Sequence, residues 1–125
     1  MNTYDITITM KKKKNKKIYI GLSVDILHHG HINLIHKAKQ YGQLIVGLLT
    51  DKAILERKRL PLISYSNRKK ILESINGVNK IIPQNEWSYC NNLKKIKPDI
   101  MVHGDDWIQY EPDLRKKSIN TLNKI

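Results

Sequence analysis

The chain has 125 residues, enough for one buried core and too few for two, and its 40% apolar and 27% charged residues suit a globular domain. No apolar run approaches the ~20 residues of a membrane span, and no apolar segment beside a cleavage site opens the chain, so a cytoplasmic protein without a membrane partner is expected. A single cysteine, Cys90, excludes an internal disulfide framework and reads as a bystander, while the formal charge of +12 points toward anionic ligands.

Residues 1–16 read as a basic leader, with Asp5 to Met10 able to form a short edge strand, and residues 17–125 read as one domain. Lys17 to Ser23 reads as a buried strand. From Gly30 to Tyr41, the residues Ile32, Leu34, Ile35, Ala38 and Tyr41 recur at helical spacing, and Gly42 stops the helix. Leu44 to Leu49 is a continuous apolar run, as in a parallel strand covered on both faces. Thr50-Asp51 caps a short helix running toward Glu56. The basic loop Arg57-Lys-Arg-Leu-Pro61 is kept out of helix by Pro61. Ser64 or Ser66 caps a helix through Ile75 that turns Ile71, Leu72 and Ile75 inward, and Gly77 ends it. Val78 to Ile82 is a third strand, stopped by Pro83. Ser88 to Ile96 reads as a helix with Leu93 and Ile96 inward, ended by Pro98. Asp99 to Val102 is a fourth parallel strand opening into His103-Gly-Asp-Asp-Trp107, and Pro112 to Leu122 is a last helix.

Strands alternating with helices predict an α/β fold, a Rossmann-like doubly wound parallel sheet with right-handed crossovers. Such sheets bind ligands at the carboxyl ends of their strands. Three polar clusters fall there: Ser23 to His31, Thr50-Asp51, and Gly104 to Trp107. Packing alone does not account for three clusters on one rim.

The first cluster carries the sharpest signal. An apolar strand opens into a turn bearing His28-His29-Gly30-His31, and a helix follows at once. The N–H groups and dipole of a helix start favour anions, Gly30 lets a phosphate approach the backbone, and His28 and His31 add donors. The rim offers imidazoles, carboxylates and a basic loop, with no nucleophile–base pair, which suits nucleotidyl transfer onto an acceptor that is already ionised. His28 and His31 are assigned to the α- and β-phosphates, and Lys58 and Arg59 to a clamp on the triphosphate. Asp25 is a candidate for Mg²⁺ or for an amine on the acceptor, and Asp105 and Asp106 for metal or nucleotide hydroxyls. Arg68 is a candidate for an anionic acceptor. His29 and His36 read as surface residues, and Trp107 either packs on a base or closes the sheet edge. Zinc is not expected, because the two histidines lack further ligands at metal spacing.

Six of the lysines lie in Lys11 to Lys17. They read as a solvated leader rather than a nucleic-acid arm, since no aromatic residues interleave them as a stacking platform would.

On these residues the chain resembles the cytidylyltransferase branch of the His-x-Gly-His nucleotidyltransferases. It is most similar to the 2-aminoethylphosphonate cytidylyltransferases, including forms fused to phosphoenolpyruvate mutase or an aminotransferase. The blocks that carry the resemblance are Ser23-Val-Asp-Ile-Leu-His-His-Gly-His-Ile-Asn33, Gly47-Leu-Leu-Thr-Asp-Lys-Ala-Ile54, Lys58-Arg-Leu-Pro61 and His103-Gly-Asp-Asp-Trp107. Glycerol-3-phosphate cytidylyltransferases are similar at the His-x-Gly-His and Gly-Asp-Asp-Trp positions and less so around Ser23 and Lys58. The resemblance implies CTP as substrate, Mg²⁺, pyrophosphate release, a homodimer and a phosphonate or phosphate monoester as acceptor. By position it carries nucleotide-phosphate binding onto His28 and His31, metal or acceptor binding onto Ser23 and Asp25, and triphosphate contacts onto Lys58. Acceptor or nucleotide contacts fall on Arg68, Asp105 and Asp106, with Ser23, Gly30, Arg59 and Gly104 also among the nucleotide-binding candidates. Members of that group continue into a strand and a Gly-Ile-Ser-Ser/Thr-Thr signature, which has no counterpart between Trp107 and Ile125. The expectation is therefore a domain truncated at its C-terminus, one completed by a second polypeptide, or a degenerate, non-catalytic copy.

Overall fold

The computed structural model describes residues 6–10, 16–104 and 110–125. They form a five-stranded sheet from β1 (Ile6–Met10), β2 (Lys17–Leu22), β3 (Gln43–Leu49), β4 (Lys80–Gln84) and β5 (Ile100–Gly104), in the order β1-β5-β2-β3-β4. Strands β2 to β5 are mutually parallel, and β1 is antiparallel at the edge, running Ile6 opposite Gly104 to Met10 opposite Ile100. Of the edge strand considered for Asp5 to Met10, Ile6–Met10 is part of the sheet and Asp5 lies outside the described residues, so the segment read as a leader lies partly within the domain. The lysines at 11–14 fall outside the described residues.

Among the described residues, five helices connect and cover the sheet: α1 (His29–Lys39), α2 (Asp51–Leu55), α3 (Tyr65–Glu73), α4 (Cys90–Ile96) and α5 (Pro112–Lys124). Successive side chains of a strand point to opposite faces, and the core divides accordingly. Ile18, Ile20, Leu44, Val46, Leu48, Ile100 and Val102 face one layer, with Leu34, Ile35 and Ala38 of α1 and Leu72 of α3. Tyr19, Ile45 and Met101 face the other, with Leu93 of α4 and Leu122 of α5. Helices on both faces make the sheet doubly wound. Six of the seven β3 residues are buried, as its unbroken apolar run predicts.

Three local expectations are corrected. Pro83 lies inside β4 instead of ending it. The Gln84 carbonyl accepts from Thr50 N–H on the β3 side, so alternation turns the Pro83 nitrogen outward, at a sheet edge where no donor is needed. Ile71 is 37% exposed, because α3 buries only the stripe through Arg68 and Leu72. Helix α4 starts at Cys90, later than expected, and ends where Lys97 adopts φ 53° ahead of Pro98.

The strand order places the site. The chain steps from β2 outward to β3 and β4, then returns across β2 to lay down β5 on its other side. Beyond the paired residues Ile20 and Val102, β2 and β5 separate, although each continues against its other neighbour. A crevice at that switch point is where doubly wound sheets take ligands.

Candidate active site

Helix α1 begins at the end of β2 because His28 caps it. His28 Nδ1 accepts the Gly30 N–H at 3.0 Å, and His31 Nδ1 accepts the His28 N–H at 3.2 Å. A backbone N–H can only donate, so both Nδ1 atoms are unprotonated and each ring carries its proton on Nε2. The cap thereby selects one tautomer for both rings, which lie 4.1 Å apart at 41°. His28 is exposed and His31 half-buried. Burial first, then the charges of His28 and Lys58, pushes His31 down to about 4, so it is a neutral donor at pH 7. No acidic residue occupies the first turn of α1, which leaves the positive end of its dipole uncompensated. Gly30 is buried, and its N–H is committed to His28. His29 and His36 are exposed, as expected of surface residues.

Between Leu22 and His28 the chain reverses through Val24, which has φ 50° and is 2% exposed. A β-branched residue in the left-handed region is strained, and its burial holds it there. The turn sets Ser23 and Asp25 at the mouth of a cavity of about 140 Å³ that Ile54, Lys58 and Arg59 complete. Asp25 already has partners: Oδ1 accepts the Ile63 N–H at 3.0 Å, and Oδ2 lies 3.6 Å from Arg59 Nη1. The carboxylate thus fastens the 59–63 loop over the cavity. Lys58 Nζ stands 5.6 Å from the centre of the Trp87 ring. The Trp87 indole N–H donates to Glu111, which also pairs with Arg57 at 3.5 Å.

Arg68, expected at the acceptor, is not in the cavity. Its side chain is fully buried, and four of its N–H groups are taken. Nε donates to the Ile63 carbonyl at 2.9 Å, Nη1 to those of Ser23 at 2.8 Å and Leu49 at 2.7 Å, and Nη2 to Asp51 at 2.7 Å. It ties the ends of β2 and β3 to the 59–63 loop and positions the site without facing it. Thr50 and Asp51 lie at the rim as expected, but Thr50 caps α2 through the Ala53 N–H and Asp51 is the partner of Arg68. Gly104 ends β5 at the same rim, while Asp105, Asp106 and Trp107 lie outside the described residues.

The residue pattern did not reveal Gln84 and Asn92, which with Tyr19 build a polar network under the sheet, or Tyr89, packed edge-on against Tyr19. Asn92 Nδ2 donates to the Tyr19 hydroxyl at 2.9 Å and to the Pro83 carbonyl at 3.0 Å, and the Tyr19 hydroxyl donates to Gln84 Oε1. Gly47 and Gly21 are the one available signal: a Cβ on Gly47 would collide with the Tyr19 hydroxyl, and one on Gly21 would lie 2.7 Å from Tyr89 Cζ.

A doubly wound sheet with a histidine-capped helix start at its switch point has the layout of a nucleotide-binding domain. The chain belongs to the cytidylyltransferase-like family, whose model matches residues 18–124. Glycerol-3-phosphate cytidylyltransferase of Bacillus spizizenii is 40% identical over 94 residues, covering 74% of this chain and 73% of that protein. The bifunctional protein HldE of Helicobacter pylori J99 is 32% identical over 106 residues, covering 82% of this chain and 23% of HldE. The lipopolysaccharide core biosynthesis protein of Thermoplasma volcanium shares the fold, with a TM-score of 0.63 at 24% identity over 67% of this chain and 70% of that one. The antiparallel β1 precedes the residues matched to the family. Among the described residues, no helix is long and apolar enough to cross a membrane.

Proposed function

We propose that the chain is a CTP-dependent cytidylyltransferase that moves CMP onto 2-aminoethylphosphonate, or a closely similar phosphonate or phosphate monoester, and releases pyrophosphate. The observation that carries this reading is the pair of Nε2–H donors, His28 and His31, at an acid-free helix start near the cavity lined by Asp25, Lys58 and Arg59. An acceptor oxyanion attacks the α-phosphorus; the new O–P bond forms as the bond to the β-phosphate breaks, and that electron pair leaves with pyrophosphate. Because the acceptor is ionised near neutral pH, no general base is required, and the rate comes from positioning and charge stabilisation.

In this reading His28 and His31 donate to the α- and β-phosphates, and Lys58 and Arg59 close on the triphosphate. A neutral His31 stabilises the growing oxyanion charge as a donor whose proton stays in place. Gly104, Asp105 and Asp106, on the β5 side, take the nucleoside. Among the described residues no three His, Cys, Asp or Glu side chains are gathered as a metal cage. A triphosphate brings Mg²⁺ with it, and that ion commonly takes only one or two carboxylates besides phosphate oxygens. Asp106 would hold it, joined by Asp25 where the acceptor brings no ammonium group, and it would supply neutralisation of the phosphate charge.

The acceptor follows from the one acid at the cavity. Asp25 complements an ammonium group, which suits a short zwitterion whose phosphonate is turned toward the α-phosphorus it attacks. Glycerol 3-phosphate is the second reading, favoured by the similarity to the Bacillus enzyme, but it carries no cation for Asp25. Pyrophosphate release with CTP and each acceptor in turn tests the choice. Faster turnover with aminoethylphosphonate supports the first reading, faster turnover with glycerol phosphate the second. Tight CTP binding with no release marks a non-catalytic nucleotide-binding module. A homodimer belongs to the same reading, and light scattering measures it.

A further inference from the structure

Where the pairing of β2 with β5 ends stands a side chain that none of the preceding roles uses. Along β2, Lys17 sends both its N–H and its carbonyl toward β5: the N–H donates to Asp99 Oδ2 and the carbonyl accepts the Asp99 N–H, each at 2.9 Å. Alternation along a strand points Tyr19 and Gly21 the same way. The ladder with β5 ends at Ile20 and Val102, so Gly21 forms no rung of its own with β5 through its N–H and carbonyl. The Tyr89 hydroxyl takes both instead, accepting the Gly21 N–H at 2.8 Å and donating to the Gly21 carbonyl at 2.9 Å. It stands where the next rung of the sheet would be. Gly21 is what admits the ring there, since a Cβ would lie 2.7 Å from Tyr89 Cζ. The ring is 3% exposed, set edge-on against Tyr19 with centroids 5.4 Å apart, and it lies 5.5 Å from His103 on β5.

We propose that Tyr89 is a positioning residue for the nucleoside: by replacing the missing rung at Gly21 it holds β2 and β5 apart at a fixed width, and so sets the slot that receives the base and ribose. This rests on the nucleotidyl-transfer reading. With the triphosphate on α1 and the acceptor between the ends of β2 and β3, the side of β2 left for the nucleoside is the β5 side. Without the hydroxyl, the two strands either zip one residue further or leave two buried backbone groups unpaired. Both outcomes alter the slot, while the helix start and the acceptor cavity keep their own supports.

The test is steady-state kinetics of the full chain bearing Tyr89→Phe, with Leu93→Ala as the control for lost packing in the same layer. The expected result for Tyr89→Phe is a KM for CTP raised about tenfold, the worth of one to two hydrogen bonds. Its kcat and its KM for the acceptor are expected within about twofold of the parent. Leu93→Ala is expected to lower the melting temperature and leave the KM for CTP within about twofold. An unchanged KM for CTP in Tyr89→Phe, or a fall in kcat alone, overturns the proposal. So does an equal rise in KM from Leu93→Ala, which would make the effect one of general loosening. Failure of the parent chain itself to bind or turn over CTP overturns the functional reading, and with it this one, before any variant is made.

Discussion

Replacing Arg68 by Met tests whether the site is organised from behind. The change keeps most of the side-chain length and removes every donor. It leaves the carbonyls of Ser23, Leu49 and Ile63 and the carboxylate of Asp51 without their guanidinium partner. Four hydrogen bonds from a charged donor, at roughly 1.5–3 kcal/mol each, sum to about 6–12 kcal/mol if they were additive. They are not. Asp51 is 41% exposed on its side chain and rehydrates, and burying an apolar residue offsets part of the rest. The net expectation is the ~3–5 kcal/mol typical of breaking a buried charged contact from one side. With a urea slope of about 1–3 kcal/mol per molar, the midpoint should fall by roughly 2 M with little change in slope. Arg68→Lys should recover only part of the loss, because one ammonium cannot span four acceptors on three segments. A midpoint shift equivalent to under about 1 kcal/mol for Arg68→Met would refute the strut and return Arg68 to the set of residues facing ligand.

Three further outcomes are expected. His28→Ala should lower turnover at least ~10²-fold if its Nε2–H stabilises the transition state, with only about 1 kcal/mol of stability lost from the cap; melting curves beside kinetics separate the two. For His31, the folded value of about 4 lies below the unfolded 6.5, so the unfolded state binds more protons between those values. Stability should therefore decline as pH falls from 6.5 toward 4 and be indifferent to this group above 6.5; His31→Gln should flatten that limb of the urea-midpoint profile. Arg59→Ala removes a partly exposed ion pair with Asp25, so stability should move by less than about 1 kcal/mol while KM for CTP rises; an unchanged KM would remove Arg59 from the triphosphate clamp.

Local order was largely legible from the residues. Apolar spacing in α1, the unbroken run of β3 and the capping residue of α2 each act within a few positions, and each element formed where its pattern lay. The edge strand β4 ran through Pro83, which only the strand order explains, since the cost of a missing N–H depends on which side the neighbour occupies. The histidines were visible as a pair, whereas their common tautomer was not, because it is set by backbone N–H groups that become donors only in the folded turn. Arg68 read as a ligand-facing charge because basic residues near a rim commonly are. Its four partners come from three segments as far as 45 positions away, and no local pattern marks that. Tyr89 meets Gly21 across 68 positions, and its only trace is a strand glycine with no turn to serve.

The central claim is that His28 and His31 grip a nucleoside triphosphate through Nε2. A crystal structure of the chain with CTP and magnesium tests it most directly. The account predicts α- and β-phosphate oxygens at about 2.7–3.2 Å from the two Nε2 atoms. A triphosphate bound elsewhere, or either Nε2 occupied by another part of the polypeptide, would contradict it.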